Sequence, residues 1–434
     1  MKSVSFIDGL FVTVLVLISS FYFWGIDRIP FHPDETTQIF MSSDLQTLFQ
    51  DPGRLAWTPG MESDLRTHYR LLDAPLTRDL IGLARSLAGA PALPVDWDWT
   101  QNWDQNLARG AYPQDLVLWI SRLVITGLVP LGLILLYRAG AELGSPWIGL
   151  ASVVFFGLNS LVLLHARRAM AEGAMLVGIL FYLYLLLHSP QRSWFLALAA
   201  ALAFNAKYST LVLFPVGALA LILVRPQKRP WSWLGKHLSI YAGVFLLVTV
   251  LLNPFLWKDP LRAAQTAIQE RLRFVQGQAD LIGASAPELV LHSPANRAAA
   301  FLAETFLTQP AYYDVANYAT ETTSQVKIYQ QTPGHLLSAN LVWSGFILVL
   351  AVFGFLAAGL RYRNLTGEQR RKFVLLAVAG LCQWVALMVS VPIPFQRYYL
   401  PFLPYICIWS ACGSFFLAQP FVWRKKPDQQ ATPG

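Results

Sequence analysis

The chain has 434 residues, 55% of them hydrophobic and only 13% charged. A soluble domain carries about twice that charged share, so the composition excludes that class and points to an all-α polytopic membrane protein. The net charge of +8 would suggest a nucleic-acid partner in a soluble protein, but its distribution along this chain fits the positive-inside rule and implies no nucleic acid. The three cysteines, Cys382, Cys407 and Cys412, lie in apolar stretches and suggest neither a disulfide framework nor a zinc site.

The first apolar span runs from Phe6 to Trp24, within a first segment of residues 1–24. It lacks a small-residue cleavage site before the charged stretch, so a retained anchor is expected rather than a removed leader. A polar segment follows over residues 25–115. It contains Phe31-His32-Pro33-Asp34-Glu35 and the aromatic residues Trp97, Trp99 and Trp103, read as interface anchors. Residues 116–252 hold spans two to seven. The apolar stretch Trp194 to Val224 is too long for one crossing and is broken by Asn205-Ala206-Lys207-Tyr208, so two short or tilted helices are expected there. A second polar segment, 253–338, contains helical stretches such as Leu261 to Gln276. Residues 339–417 hold the last three spans, and 418–434 form a basic tail.

About ten crossings put both termini on one side. The basic segments Arg225 to Lys236, Arg361 to Lys372 and Arg424 to Lys426 then share that side, which makes it cytoplasmic. The sequon Asn364-Leu365-Thr366 falls there too and should stay unmodified. Both large polar segments fall outside. So do the carboxylates Asp34 and Glu35, the turn His165-Ala166-Arg167-Arg168-Ala169-Met170-Ala171-Glu172, Lys207, Asn253 and Gln396-Arg397-Tyr398. Each has a plainer reading alone. Asp34 and Glu35 could open a helix behind Pro33, Lys207 could snorkel to headgroups, and His165 could be a packed histidine. Their convergence on one face favours a reaction there, with an acid activating an acceptor and cations holding an anionic donor such as a lipid phosphate.

These residues also carry a resemblance. The chain resembles the GT-C membrane glycosyltransferases, in particular glycosyltransferase family 39, related to the protein O-mannosyltransferases, and its aminoarabinose-transferase relatives. Asp34-Glu35 matches the acidic pair of that family's first outer loop. Asp73-Ala74-Pro75-Leu76-Thr77-Arg78 is similar to its Pro-Pro-Leu-x-Lys-like stretch, with Asp73 where relatives carry His or Lys. Arg167 and Glu172 take the Arg and acid positions of its third-span turn. Asn205-Ala206-Lys207-Tyr208 resembles its Thr-Lys-Tyr-type hairpin, and Arg397-Tyr398-Tyr399-Leu400-Pro401 its Arg-Tyr-x-x-Pro element. There is no Trp-Trp-Asp motif, which departs from the eukaryotic protein mannosyltransferases and the oligosaccharyltransferases.

The resemblance implies a GT-C-like bundle with two large outer segments. It implies a polyprenyl-phosphate-linked sugar donor and an acceptor glycan, lipid or protein, with the site on the outer face of the inner (plasma) membrane. Asp34 would be the general base and Glu35 would orient it or the acceptor. Arg78, Arg167, Arg168, Lys207 and Arg397 would bind the donor phosphate, with His32, Glu172 and Tyr398 as further site residues. No cofactor is expected, and a divalent metal is neither indicated nor ruled out, since no HExxH or His/Cys/Asp cluster occurs. The competing classes are a transporter or lipid flippase, whose polar sites sit near mid-membrane, and a non-catalytic membrane scaffold.

Overall fold

The computed structural model describes residues 6–228, 230–315 and 318–422. Lys2, Arg229 and the tail cations Arg424, Lys425 and Lys426 lie outside the described residues. Among the described residues there is no strand. Seven helical segments are long and apolar enough to cross a membrane, and three shorter apolar helices lie at Pro146–Gly157, Ser193–Ala206 and Tyr208–Val224. The protein is a multi-pass membrane protein.

Helix α1 (Phe6–Trp24) leads into the first polar segment, which folds into α2 (Pro33–Met41), α3 (Asp44–Gln50), α4 (Leu65–Leu72), α5 (Leu76–Leu87) and α6 (Trp103–Ala108). The second span bends at Gly127, giving α7 (Asp115–Thr126) and α8 (Val129–Ala141). A third apolar stretch is also split: Ser145 caps α9 (Pro146–Gly157), and Asn159 caps α10 (Ser160–His165) by accepting from the Leu161 and Val162 amides. Then come α11 (Ala171–His188), α12 (Ser193–Ala206), α13 (Leu213–Val224) and α14 (Pro230–Leu252). Lys207 is extended, so α12 stops and the chain turns there.

The second polar segment forms α15 (Pro260–Ser285), α16 (Pro294–Leu302) and α17 (Thr323–Gln331). Helix α15, capped by Asp259 with Pro260 in its first turn, runs nine residues beyond the stretch read from sequence. The last spans are α18 (Leu341–Leu360), α19 (Gly367–Ser390) and α20 (Leu403–Val422). Thr366 of the sequon caps α19.

Lipid tails are as apolar as leucine, so close helix contacts need small residues. A Cβ on Gly354 would collide with the Trp409 carbonyl and one on Gly413 with that of Leu350, so α18 and α20 meet backbone to backbone.

Polar contacts sort the bundle into two ends. At one, Glu142 after α8 takes His188 of α11 at 2.7 Å and Lys372 of α19 at 2.5 Å. At the other, both polar segments dock on the ends of the remaining helices. Trp57 donates its amide to the Phe255 carbonyl, Ser160 donates to Ser338, and Leu291 donates to Pro392.

Candidate active site

Helix α2 begins with Pro33, whose missing N–H is no loss in a first turn. His32 precedes it, and its Nδ1 accepts from the Asp34 amide at 3.1 Å, while its own amide donates to Glu35 Oε2 at 3.2 Å. The pentapeptide is therefore a capped helix start, and the cap aims its two carboxylates apart.

Glu35 points inward and has no exposed surface. Arg122 grips it with a fork, Nε to Oε1 at 2.8 Å and Nη2 to Oε2 at 2.7 Å, and the Ala169 amide adds a bond of 2.9 Å. Arg122 Nη1 also donates to the Ile26 and Ile29 carbonyls. Burial raises the Glu35 carboxyl, but the Arg122 charge and hydrogen bonds outweigh it and hold the group below its ordinary value. This knot ties α2, α7 and the turn before α11 together.

Asp34 points the other way, and its side chain is 30% exposed. Its Oδ2 accepts from Arg397 Nη1, delivered by the short turn before α20. Arg397 Nε lies 2.9 Å from Asp314 Oδ2 in the second polar segment. With its Nδ1 accepting, the His32 ring carries its proton on Nε2, 3.2 Å from the same Asp314 oxygen. Burial raises the Asp314 carboxyl, and Arg397 and His32 more than reverse that. The Tyr398 ring centre lies 5.7 Å from Arg397 Cζ and 5.7 Å from Lys207 Nζ, between two cations that would otherwise repel.

Lys207 donates to Glu172 Oε1 at 2.5 Å, joining the break after α12 to the start of α11. The break is itself fixed by polar contacts. Asn253 donates to Asn205 at 2.5 Å and accepts from the Tyr208 hydroxyl at 3.0 Å.

Asp73 closes the group from the first polar segment. Burial raises its carboxyl, and it feels the charges of Arg271, Asp34, Arg78 and Lys207. Arg78 is buried, 3.8 Å from Asp44, and lines a pocket with Leu48, Leu251 and Phe255. The cleft thus gathers Asp34, Asp73, Glu172 and Asp314 against Arg78, Lys207, Arg271 and Arg397.

Arg167 and Arg168, expected at the donor phosphate, turn their guanidiniums into the interior, where Arg168 feels the charges of Glu35 and Asp314. Both are fully buried. Arg167 donates to the Leu163 carbonyl at 2.6 Å and meets His335 at 3.2 Å. Arg168 donates to the Pro30 and Tyr312 carbonyls. Arg168 clamps the second polar segment onto the first and Arg167 ties it to α10, and bending either outward would strand those carbonyls without donors. His165 packs behind them, also buried.

The sequence reading passed over Arg122, Asp314 and Arg271. A guanidinium inside the apolar run of α7 needs a buried partner, and that signal marked Arg122. Asp314 and Arg271 carried no comparable local mark.

Among the described residues no three His, Cys, Asp or Glu side chains group as a metal's donor set. Between Asp34 and Asp314 the Arg397 guanidinium holds the position a cation would take, so the residues present do not fit a metal there.

Solved structures similar to this fold include the Archaeoglobus fulgidus oligosaccharyltransferase tethered to an acceptor peptide. The TM-score is 0.53 and the identity 10%, over 95% of this chain and 50% of that one. The same enzyme with an inhibitory peptide and a dolichol-phosphate gives a TM-score of 0.50 and 12% identity, over 96% and 51%. ArnT from Cupriavidus metallidurans, bound to undecaprenyl phosphate, gives 0.48 and 15%, over 93% and 59%. The chain thus spans about half the length of the oligosaccharyltransferase it matches. No family model and no curated protein sequence matches it. At these identities the likeness defines the fold, and the chain has the fold of the GT-C membrane glycosyltransferases.

Proposed function

We propose that the protein is a glycosyltransferase that moves a sugar from a polyprenyl-phosphate-linked donor to an acceptor hydroxyl. The reaction takes place at the outer face of the plasma (inner) membrane, with the basic end of the bundle and both termini cytoplasmic. The observation that carries the reading is Asp34. It is a partly exposed carboxylate in a cleft whose other walls present Arg397, Lys207 and Arg78. A leaving group that is already a phosphate ester needs charge stabilisation rather than a proton, and fixed cations in a sheltered cleft supply it.

Asp34 takes the acceptor hydroxyl proton as the oxygen attacks the anomeric carbon. The bond from that carbon to the phosphate oxygen breaks on the opposite side, giving an inverted glycoside and free polyprenyl phosphate. Glu35 acts through position, since its knot with Arg122 fixes the helix that carries Asp34. The pocket beside Arg78, with Leu48, Leu251 and Phe255 in its wall, suits the first isoprene units of a lipid donor. The two polar segments, 25–115 and 253–338, form the walls, and Arg271 of α15 reaches in from the second. Incubating the purified protein with a panel of polyprenyl-phosphate sugars and assaying released polyprenyl phosphate tests the reading. No release with any donor, against a folded sample, overturns it.

A further inference from the structure

In the cleft Lys207 and Arg397 are already paired with carboxylates, so a phosphate drawing on either must compete for a donor in use. The three direct ion pairs are not equally open to competition. Glu172, with Lys207, is only 2% exposed in its side chain. Asp314 is 10% exposed and is met from a second side by the protonated His32 nitrogen at 3.2 Å. Asp34 is 30% exposed, and the bond to its carboxylate comes from the far end of the Arg397 side chain.

From this we infer that Arg397 serves two partners in turn, Asp34 and the donor phosphate, with Asp314 as the positioning residue that holds it through the exchange. The inference rests on the transferase reading and adds a regulation to it. An Asp34 paired with Arg397 has its Oδ2 turned to the guanidinium rather than to an acceptor hydroxyl. When phosphate takes the Nη1 donor, Asp34 is released toward the acceptor. Donor binding thereby arms the base, and an acceptor, or water, meeting the site first finds it disarmed. The Nε of Arg397 stays with Asp314, so the guanidinium pivots rather than leaves.

Competition has a thermodynamic sign that a structural role lacks. If Asp34 and phosphate contend for Arg397, removing the Asp34 charge must tighten phosphate binding, because binding no longer has to break the pair. The experiment is binding of undecaprenyl phosphate to the purified full-length protein in detergent, with no sugar and no acceptor. Asp34→Asn is expected to bind on the order of tenfold tighter than the parent. Asp34→Ala is expected to do the same and covers a failure of the first variant to fold. Asp314→Asn is expected to bind more weakly, since the guanidinium loses its anchor. Opposite signs at the two aspartates support the exchange. Equal affinity of parent and Asp34→Asn, or weakening at both aspartates, overturns it while leaving the transferase reading standing. Failure of the parent to bind the lipid phosphate at all overturns both.

Discussion

Two arginine–carboxylate centres begin at adjacent residues and have opposite designs. At Glu35 the carboxylate is sealed, gripped by both arms of Arg122, and bonded by two backbone amides. At Asp34 it is partly open and bonded to one arm of Arg397, whose position depends on a third residue. A buried ion pair recovers its desolvation cost only when every lone pair finds a partner. The Glu35 centre meets that condition and fixes structure. The Asp34 centre leaves acceptor capacity unused, which suits a group that must change partners. A third pairing, at the other end of the bundle, is more open still: Glu368 is an exposed side chain 2.7 Å from Lys372 on one face of α19.

The contrast breaks most directly at Asp34. Asp34→Asn keeps the shape, so turnover per folded molecule should fall about a hundredfold to ten-thousandfold with thermal unfolding near that of the parent. A loss of only a few-fold would move the base elsewhere. The Glu35 centre should behave in reverse. Arg122→Ala strands a buried carboxylate and should cost about 3–5 kcal/mol, read as a drop in unfolding temperature in detergent, with any remaining folded protein still turning over. Normal stability would show that the knot is dispensable.

Arg397 is tested by the lipid phosphate alone. Arg397→Ala should lose about ten- to a hundredfold in undecaprenyl phosphate affinity. Arg397→Lys should recover part, because an ammonium cannot fork across two oxygens.

A smaller effect follows from pH. The Glu35 carboxyl is held below its ordinary value of 4.5, so its contribution to stability is fully present above that value and is lost as pH falls through the folded one. The unfolding temperature of the parent should fall on acidification below about 4.5, and Glu35→Gln should flatten that limb. The smallest expected effect is at Glu368. Its removal should leave turnover and unfolding temperature unchanged, because an exposed pair on one helix face contributes little.

Much of this was legible from residue order. Apolar run lengths gave the all-α membrane class, though seven of the described helical segments are long enough to cross where about ten crossings were expected, and Asn205 to Tyr208 marked the chain break because a lysine and an asparagine cannot sit in an unbroken apolar helix without cost. In the fold Asp34 is the ion-pair partner of Arg397, and Lys207 lies across the Tyr398 ring from the same guanidinium. Which of two adjacent acids is sealed was not legible. It depends on Arg122, 87 residues away, and on Asp314, 282 residues from His32. Arg167 and Arg168 looked like their exposed counterparts in sequence. In the fold they turn inward, to carbonyls at Leu163 in α10, Pro30 in the first polar segment and Tyr312 in the second.

Gln396 sits one residue before Arg397 and is wholly engaged by the second polar segment. Its amide nitrogen donates to Thr308 Oγ1 at 2.6 Å and to the Gln309 carbonyl at 2.9 Å, and its oxygen accepts from the Ala311 amide at 2.5 Å. The anchor of the second polar segment and the Arg397 cation are therefore neighbours in the chain. Grafting a different segment between residues 253 and 338 would therefore reset the aim of Arg397. A transplant that keeps Thr308, Gln309 and Ala311 as its seam preserves that alignment, and one that cuts through them loses it.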